Sequence, residues 1–370
     1  KRKTPLHYAI HNRFEELAFL LLKEGASTEY EDKFGNTLVS LATGSRLPKL
    51  LKYLLDTTSI DINAFGRFQA TALHIATASG CIETTNYLLE KGANPLVKDC
   101  KEQDCLFSSV YFSTPEIFKI LCNHCKEKKI LDLEKELNGS RLIHYAAKSP
   151  KGNEIITILH DFGANINARD SKRRTALHVA CAENNLPVIK LLLELGAEIS
   201  LEDCQKRTAI YIASYKGYYD ACEILTSYTL DINSMDIDGT TPLLAAIWGS
   251  HRPVMEILIE KKADVNRIEI FQGSSPLHIA VQMRNFDITA ILANKGANLN
   301  FQRQFDGATP LHWSIELGHE FISQYLASFP ETDLSLKNKN GETALSFAIN
   351  HGASQELIKH IKEQVNLRKK

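Results

Sequence analysis

Thr175-Ala176-Leu177-His178-Val179-Ala180, Asn184-Asn185-Leu186-Pro187, Val188-Ile189-Lys190-Leu191-Leu192-Leu193 and Leu195-Gly196-Ala197 follow one another inside the stretch 170–202. Thr175 can cap a short helix, because its hydroxyl can satisfy one of the backbone N–H groups that a helix start leaves without a partner. Leu177, Ala180 and Cys181 follow at i, i+3 and i+4, which is one apolar face. Pro187 suits the first turn of a second helix, where its missing N–H costs nothing. Ile189, Leu192 and Leu193 repeat the apolar spacing, and Gly196 is placed to end the helix in the left-handed conformation. Two helices of about three turns each cannot bury their apolar faces alone. Such a pair needs neighbours.

With Thr175 as anchor, equivalent positions fall at Thr4, Thr37, Thr71, Asp104, Arg141, Thr208, Thr241, Ser275, Thr309 and Thr343. Successive steps are 33 or 34 residues, except for 37 between Asp104 and Arg141, so eleven repeats span nearly the whole chain. The core recurs as Thr4-Pro5-Leu6-His7-Tyr8-Ala9, Thr71-Ala72-Leu73-His74-Ile75-Ala76, Ser275-Pro276-Leu277-His278-Ile279-Ala280 and Thr309-Pro310-Leu311-His312-Trp313-Ser314. In period and core the chain resembles the ankyrin-repeat family, whose unit is a turn plus two helices. The resemblance implies a mainly α fold, an ankyrin-repeat α-solenoid forming one elongated curved domain. With helix layers roughly 10 Å apart, eleven layers would make a rod on the order of 100 Å long.

Three hundred and seventy residues would ordinarily suggest two or three domains, but a fixed period lets one core grow along its axis. A net charge of −1 provides no global field for nucleic acid or membranes. Eight cysteines without a framework spacing, no secretory leader and no long apolar run point to reduced thiols in the cytoplasm and no membrane insertion. The chain starts at Lys1 rather than Met and inside a repeat, which leads us to expect a piece of a longer protein. The polar stretch 363–370 is expected to close the array, as a terminal cap does.

Repeat 4 departs most, with Asp104-Cys105-Leu106-Phe107 at its core and a long charged link after it that lacks the Gly-Ala stop. The expected organisation is therefore repeats 1–4 over residues 1–126, an extended connection over 127–140, and repeats 5–11 with a C-terminal cap over 141–370. Repeat 7 carries Tyr211 in the histidine slot, repeat 2 carries Ser40, and repeat 8 carries Leu244.

Candidate chemistry is sparse. His7, His74, His144, His178, His278 and His312 share one slot of the motif, and a catalytic residue is not copied every 33 residues. The family resemblance implies that this imidazole ties the turn to the first helix. Asp99, Asp170, Asp203 and Asp236 recur at the turn, which points to turn chemistry rather than acid–base pairs. No G-x-x-x-x-G-K-[ST], no G-x-G-x-x-G after a strand and no H-E-x-x-H occurs, so no enzyme activity or cofactor is expected. Cys100, Cys105, Cys122 and Cys125, with His124, bracket the two helices of repeat 4 and have the residue types of a closed zinc site, but the gap between Cys100 and Cys105 is loose and scattered free thiols are the favoured reading, with no metal expected. Asn63, Asn233 and Asn266 each end a Leu-x5-Asp-Ile/Val-Asn run. The resemblance implies that these asparagines stabilise the turn and are of the kind a cytosolic asparaginyl hydroxylase modifies.

The resemblance also places partner-reading positions on the turn tips and on the ends of the first helices, lining a concave face. On the tips these are Lys172, Arg174, Gln205, Arg207, Ile237, Phe271 and Phe305. On the helices they are Tyr215, Lys216, Trp248, Met283 and Glu316. Lys172-Arg173-Arg174 beside Lys206-Arg207, with aromatic residues nearby, is the composition of a binding surface for an extended, acidic peptide. A solvated charge run on exposed turns is the other reading of the same residues. The expected function is a non-catalytic, monomeric scaffold binding a partner protein or peptide. The alternative is a regulatory array of a larger channel, kinase or bacterial effector. Nucleic acid is not an expected partner.

Overall fold

A computed structural model of the chain describes residues 4–32, 34–112, 114–229, 231–270 and 273–368. Among them are 22 α-helices and one two-stranded hairpin, the mainly helical solenoid class expected from the repeat. The first helices are short, seven residues in Pro5–His11, Ala176–Ala182 and Pro276–Gln282, and the second helices reach nine in Ile82–Glu90 and Leu186–Glu194. At 3.6 residues per turn these make two to two and a half turns, fewer than the three expected. The Thr-x-x-His start and the Gly-Ala end both take residues that the apolar pattern alone would assign to helix.

The chain divides into two compact halves, Lys1–Ser171 and Lys172–Lys370, and the connection 127–140 lies inside the first. In the N-terminal half, the first helices Pro5–His11, Leu38–Gly44, Ala72–Ala78, Cys105–Phe112 and Leu142–Lys148 pack in succession, each against its own second helix. The C-terminal half does the same with Ala176–Ala182, Ala209–Lys216, Pro242–Trp248, Pro276–Gln282, Pro310–Glu316 and Ala344–Asn350. Leu177, Ala180, Cys181, Ile189, Leu192 and Leu193, the residues picked out by the i, i+3, i+4 spacing, are all buried.

Polar ties run from several repeats to the next. His Nδ1 meets the anchor hydroxyl at 2.7 Å from Thr4, 2.9 Å from Thr71 and 2.8 Å from Thr175, Ser275 and Thr309. The same rings reach one repeat onward, where Nε2 donates to a backbone carbonyl: His74 to Gln103 at 3.2 Å, His178 to Arg207 at 3.0 Å, His278 to Ala308 and His312 to Glu342 at 3.1 Å. A carbonyl cannot donate, so Nε2 carries the proton and Nδ1 is left as acceptor. Asparagines form a second row: Asn63, Asn233 and Asn266 accept the backbone N–H of Asn94, Asp264 and Asn298 at 2.7, 2.8 and 2.7 Å. These three asparagines thus have the turn-stabilising role that the resemblance implies.

Repeat 4 is rebuilt around Asp104. Its carboxylate caps the first helix by accepting the N–H of Leu106 and Phe107 at 3.0 and 3.1 Å, and it pairs with Lys135 of the connection. Lys129 (φ 58) takes the left-handed position that Gly fills elsewhere, and the connection ends in a hairpin, Glu136–Leu137 with Ser140–Arg141. Asn138 and Gly139, both at positive φ, close it as an Asn-Gly turn should.

Candidate interaction surface

The turn tips are held by their aspartates. Asp203 Oδ1 accepts the N–H of Gln205 and Arg207 at 2.8 and 2.9 Å, and Asp99 and Asp236 do the same in their own turns. Neighbouring tips of the C-terminal half are joined by single main-chain bonds: Cys204 N–H to Lys172 O (2.9 Å), Ile237 N–H to Gln205 O (3.1 Å), Ile270 N–H to Asp238 O (3.2 Å) and Lys339 N–H to Asp306 O (2.9 Å). Lys172, Gln205, Ile237, Ile270, Phe305 and Lys339 thereby stand on one row of tips, all exposed.

Of the tip residues expected from sequence, Lys172 and Gln205 are exposed, and Arg174 is half-buried. Arg207 is already committed. Its Nε and one terminal nitrogen donate to Asp203 Oδ2 at 2.9 and 2.7 Å, and the Asp203 side chain is fully buried. Burial opposes ionisation of Asp203, yet the Arg207 bonds and the two backbone N–H groups outweigh it and hold its pKa below the usual carboxylate range. Arg207 is therefore a strut of the turn. Of the cations that the sequence places on the tips and helix ends of repeats 6 and 7, Arg173, Lys206 and Lys216 have no carboxylate partner among the described residues.

Arg173 (φ 59) and Lys206 (φ 57) occupy the left-handed position filled by Gly239, Gly273, Gly307 and Gly341 in the later repeats. At Gly239 glycine is needed for space as well, since a Cβ there would lie 2.4 Å from Ile270 Cγ1. An L-residue in this conformation costs roughly 1–2 kcal/mol. The signal was present in the sequence as a charged residue where the motif has glycine.

The helix-end residues form a second row. Tyr215 (55% exposed) and Lys216 end one first helix, Trp248 (41% exposed) ends the next, and Met283 caps the third. His251 Nε2 lies 3.1 Å from Tyr215 O and fixes that end. At 1.5 Å per residue, an eight-residue helix sets this row about 12 Å from the tips. Phe271 lies outside the described residues.

Near the last repeats the tips bound an open cleft of about 630 Å³, lined by Ile270, Arg303, Phe305, Trp313 and Lys339 among others. The Arg303 guanidinium stacks 3.7 Å from the Trp313 ring centroid and pairs with Asp306. Of these, sequence reading anticipates only Phe305.

The repeat 4 cysteines do not assemble. Cys100 is exposed, whereas Cys105, Cys122 and Cys125 are buried. Among the described residues, no group of three or more His, Cys, Asp or Glu is placed to hold a metal ion. Burial pushes the Cys122 thiol up to about 12 and the Cys125 thiol up to about 11, favouring the protonated form, and a zinc ligand must be a thiolate. These three sulfurs are core atoms. No helix among the described residues is long and apolar enough to cross a membrane.

A family model for ankyrin repeats (3 copies) matches the chain in overlapping segments from residue 6 to residue 369. The B-cell lymphoma 3 protein homolog of Mus musculus is 30% identical over 190 residues, covering 50% of this chain and 34% of that protein. Inversin of Mus musculus is 30% identical over 50% of this chain and 18% of its own length. The probable 26S proteasome regulatory subunit p28 of Saccharomyces cerevisiae is 24% identical over 49% of this chain and 80% of its own length. Among solved structures, the ankyrin repeat domain of Bcl-3 is similar with a TM-score of 0.56 and 26% identity, covering 60% of this chain and 99% of that one. The chain thus spans about a third of the first of these relatives and less of the second. The recurring anchor, the histidine ties and the family match agree: this chain belongs to the ankyrin-repeat family, and its repeats form a protein-interaction module.

Proposed function

We propose that the chain is a non-catalytic cytoplasmic scaffold, monomeric on its own, that binds an extended acidic segment of a partner protein on its concave face. The binding surface is the tip row and helix-end row of repeats 6–8. The observation that supports this is the pair of adjacent cations, Arg173 and Lys206, without a carboxylate partner among the described residues and held in a backbone conformation that glycine would adopt at lower cost. Tyr215, Lys216 and Trp248 offer aromatic and cationic contacts of the kind that carry interface energy.

The test separates stability from binding. Arg173→Gly and Lys206→Gly should each stabilise the chain by about 1 kcal/mol, read from the urea midpoint. Together they should weaken, by about tenfold, the binding of acidic linear peptides selected on the wild-type chain from a random display library. Raising salt should weaken wild-type binding more than the double variant's, since the lost contacts are screened charges. Selected peptides with no acidic bias, or affinity unchanged in the double variant, would remove the reading.

A second reading is a regulatory array of a larger channel, kinase or bacterial effector. It is supported by relatives in which the matching region is a small part, including the transient receptor potential cation channel subfamily A member 1 homolog of Caenorhabditis elegans, where it is 15% of the length.

A further inference from the structure

We infer that the cleft between the tips of repeats 9–11 is an anchor pocket for the same extended segment. It takes aromatic or large aliphatic side chains spaced about three residues apart, flanked by carboxylates. This rests on the concave-face reading above and adds what the partner must look like.

On the tips of the C-terminal half, large apolar side chains begin at repeat 8 and continue to repeat 10. Ile237, Ile270 and Phe305 are 53%, 68% and 84% exposed on consecutive tips, while the tips of repeats 6 and 7 present cations instead. Phe305 in particular projects a whole ring into solvent beside a cleft whose floor is another ring, Trp313. The floor is rigid, because Arg303 is buried, lies flat on the indole and is fixed by Asp306. Rigid aromatic walls lose little entropy when a partner arrives, which is what an anchor pocket requires. The volume, about 630 Å³, falls in the range of side-chain and ligand pockets.

Two polar features specify the rest. The indole Nε1 of Trp313 is buried and has no acceptor among the described residues, so a carbonyl or carboxylate brought in by the partner would complete it. Lys339 closes the rim, its Nζ 2.5 Å from Gln304 O, and among the described residues no carboxylate pairs with it. No carboxylate is among the described residues that line the cleft, and Asp306 of the same turn is already taken by Arg303. The lining itself carries Arg303 and Lys339. The spacing follows from geometry: layers roughly 10 Å apart and an extended chain advancing about 3.4 Å per residue put one anchor on each tip every three residues.

The probes are the linear peptides selected on the wild-type chain, measured by fluorescence anisotropy against three variants. Phe305→Ala, at an 84% exposed position, should leave the urea midpoint unchanged and weaken binding at least tenfold. Trp313→Phe keeps a ring for Arg303 to stack on and removes the N–H together with the five-membered ring. It should weaken binding several-fold. The Arg173→Gly, Lys206→Gly double variant distinguishes the two proposals: binding that needs those cations but ignores Phe305 and Trp313 would overturn the pocket and leave the scaffold reading intact. Selected peptides without aromatic or aliphatic residues near a three-residue spacing would also overturn it. So would self-association in sedimentation that Phe305→Ala abolishes, since the cleft would then belong to a second copy.

Discussion

Replacing Asp203 with alanine is expected to destabilise the C-terminal half by about 3 kcal/mol, the usual cost of breaking a buried ion pair from one side. The carboxylate supports four contacts: two backbone N–H groups in its own turn and two bonds from the Arg207 guanidinium. Its removal leaves the N–H of Gln205 and Arg207 without their acceptor and Arg207 without its counter-charge. Arg207→Glu should also be destabilising, because it sets a second carboxylate against a buried one. Urea unfolding followed by circular dichroism is the check, and a midpoint within error of wild type for Asp203→Ala would show that the turn does not depend on this network. The same result explains why charge reversal at Arg207 is a poor probe of partner binding. Loss of binding there would report a damaged turn.

Acidification from pH 7 to pH 5 is expected to cost about 2 kcal/mol through His278 alone. Burial drives this imidazole down to about 4 from its usual 6.5, against the opposing pull of its bond to Ala308 O. Burial also lowers His74 and His312, again opposed by their carbonyl bonds to Gln103 and Glu342. In every case the folded state prefers the neutral ring. Below 6.5 the unfolded chain takes up protons first, so stability is full above that pH and falls as pH drops toward the folded value, by at most about 1.4 kcal/mol per pH unit for each histidine. The structural reason is that Nδ1 must remain an acceptor, for the backbone N–H of Thr71 at 3.3 Å and of Thr309 at 3.4 Å. Carboxylates held low by their bonds, such as Asp203 and Asp306, act at lower pH and leave the window from 7 to 5 to the histidines. Urea midpoints at the two pH values test this, with His278→Gln expected to flatten the dependence. An equal midpoint at both would contradict it.

The architecture was legible because it is local and repeated. The anchor hydroxyl, the histidine three residues on, the apolar i, i+3, i+4 faces and the Gly-Ala stop all lie within one period, and register across repeats reinforces each one. The asparagine and aspartate turn roles were legible for the same reason. What escaped was set by side chains meeting across that register. Arg207 and Asp203 are four residues apart, as in a helical pair, but whether an arginine folds back on its own turn or reaches outward depends on burial of the partner. Arg303 meeting Trp313 is a contact between a turn and a helix ten residues apart, with no spacing rule to announce it. The repeat 4 cysteines look like a ligand set because their spacing is suggestive. Their separation into one exposed and three core positions is decided by which faces the two helices bury.

On the proposed reading, a partner lies along the tips and first-helix ends of the C-terminal half. Amide hydrogen exchange with and without a selected acidic peptide tests it most directly. Exchange should slow at 172–174, 205–207 and 237–239 and at the helix ends around Tyr215 and Trp248, with the second helices Leu186–Glu194, Tyr219–Thr226 and Arg252–Glu260 unchanged. Protection confined to those second helices would place the partner on the other side of the repeats and contradict it.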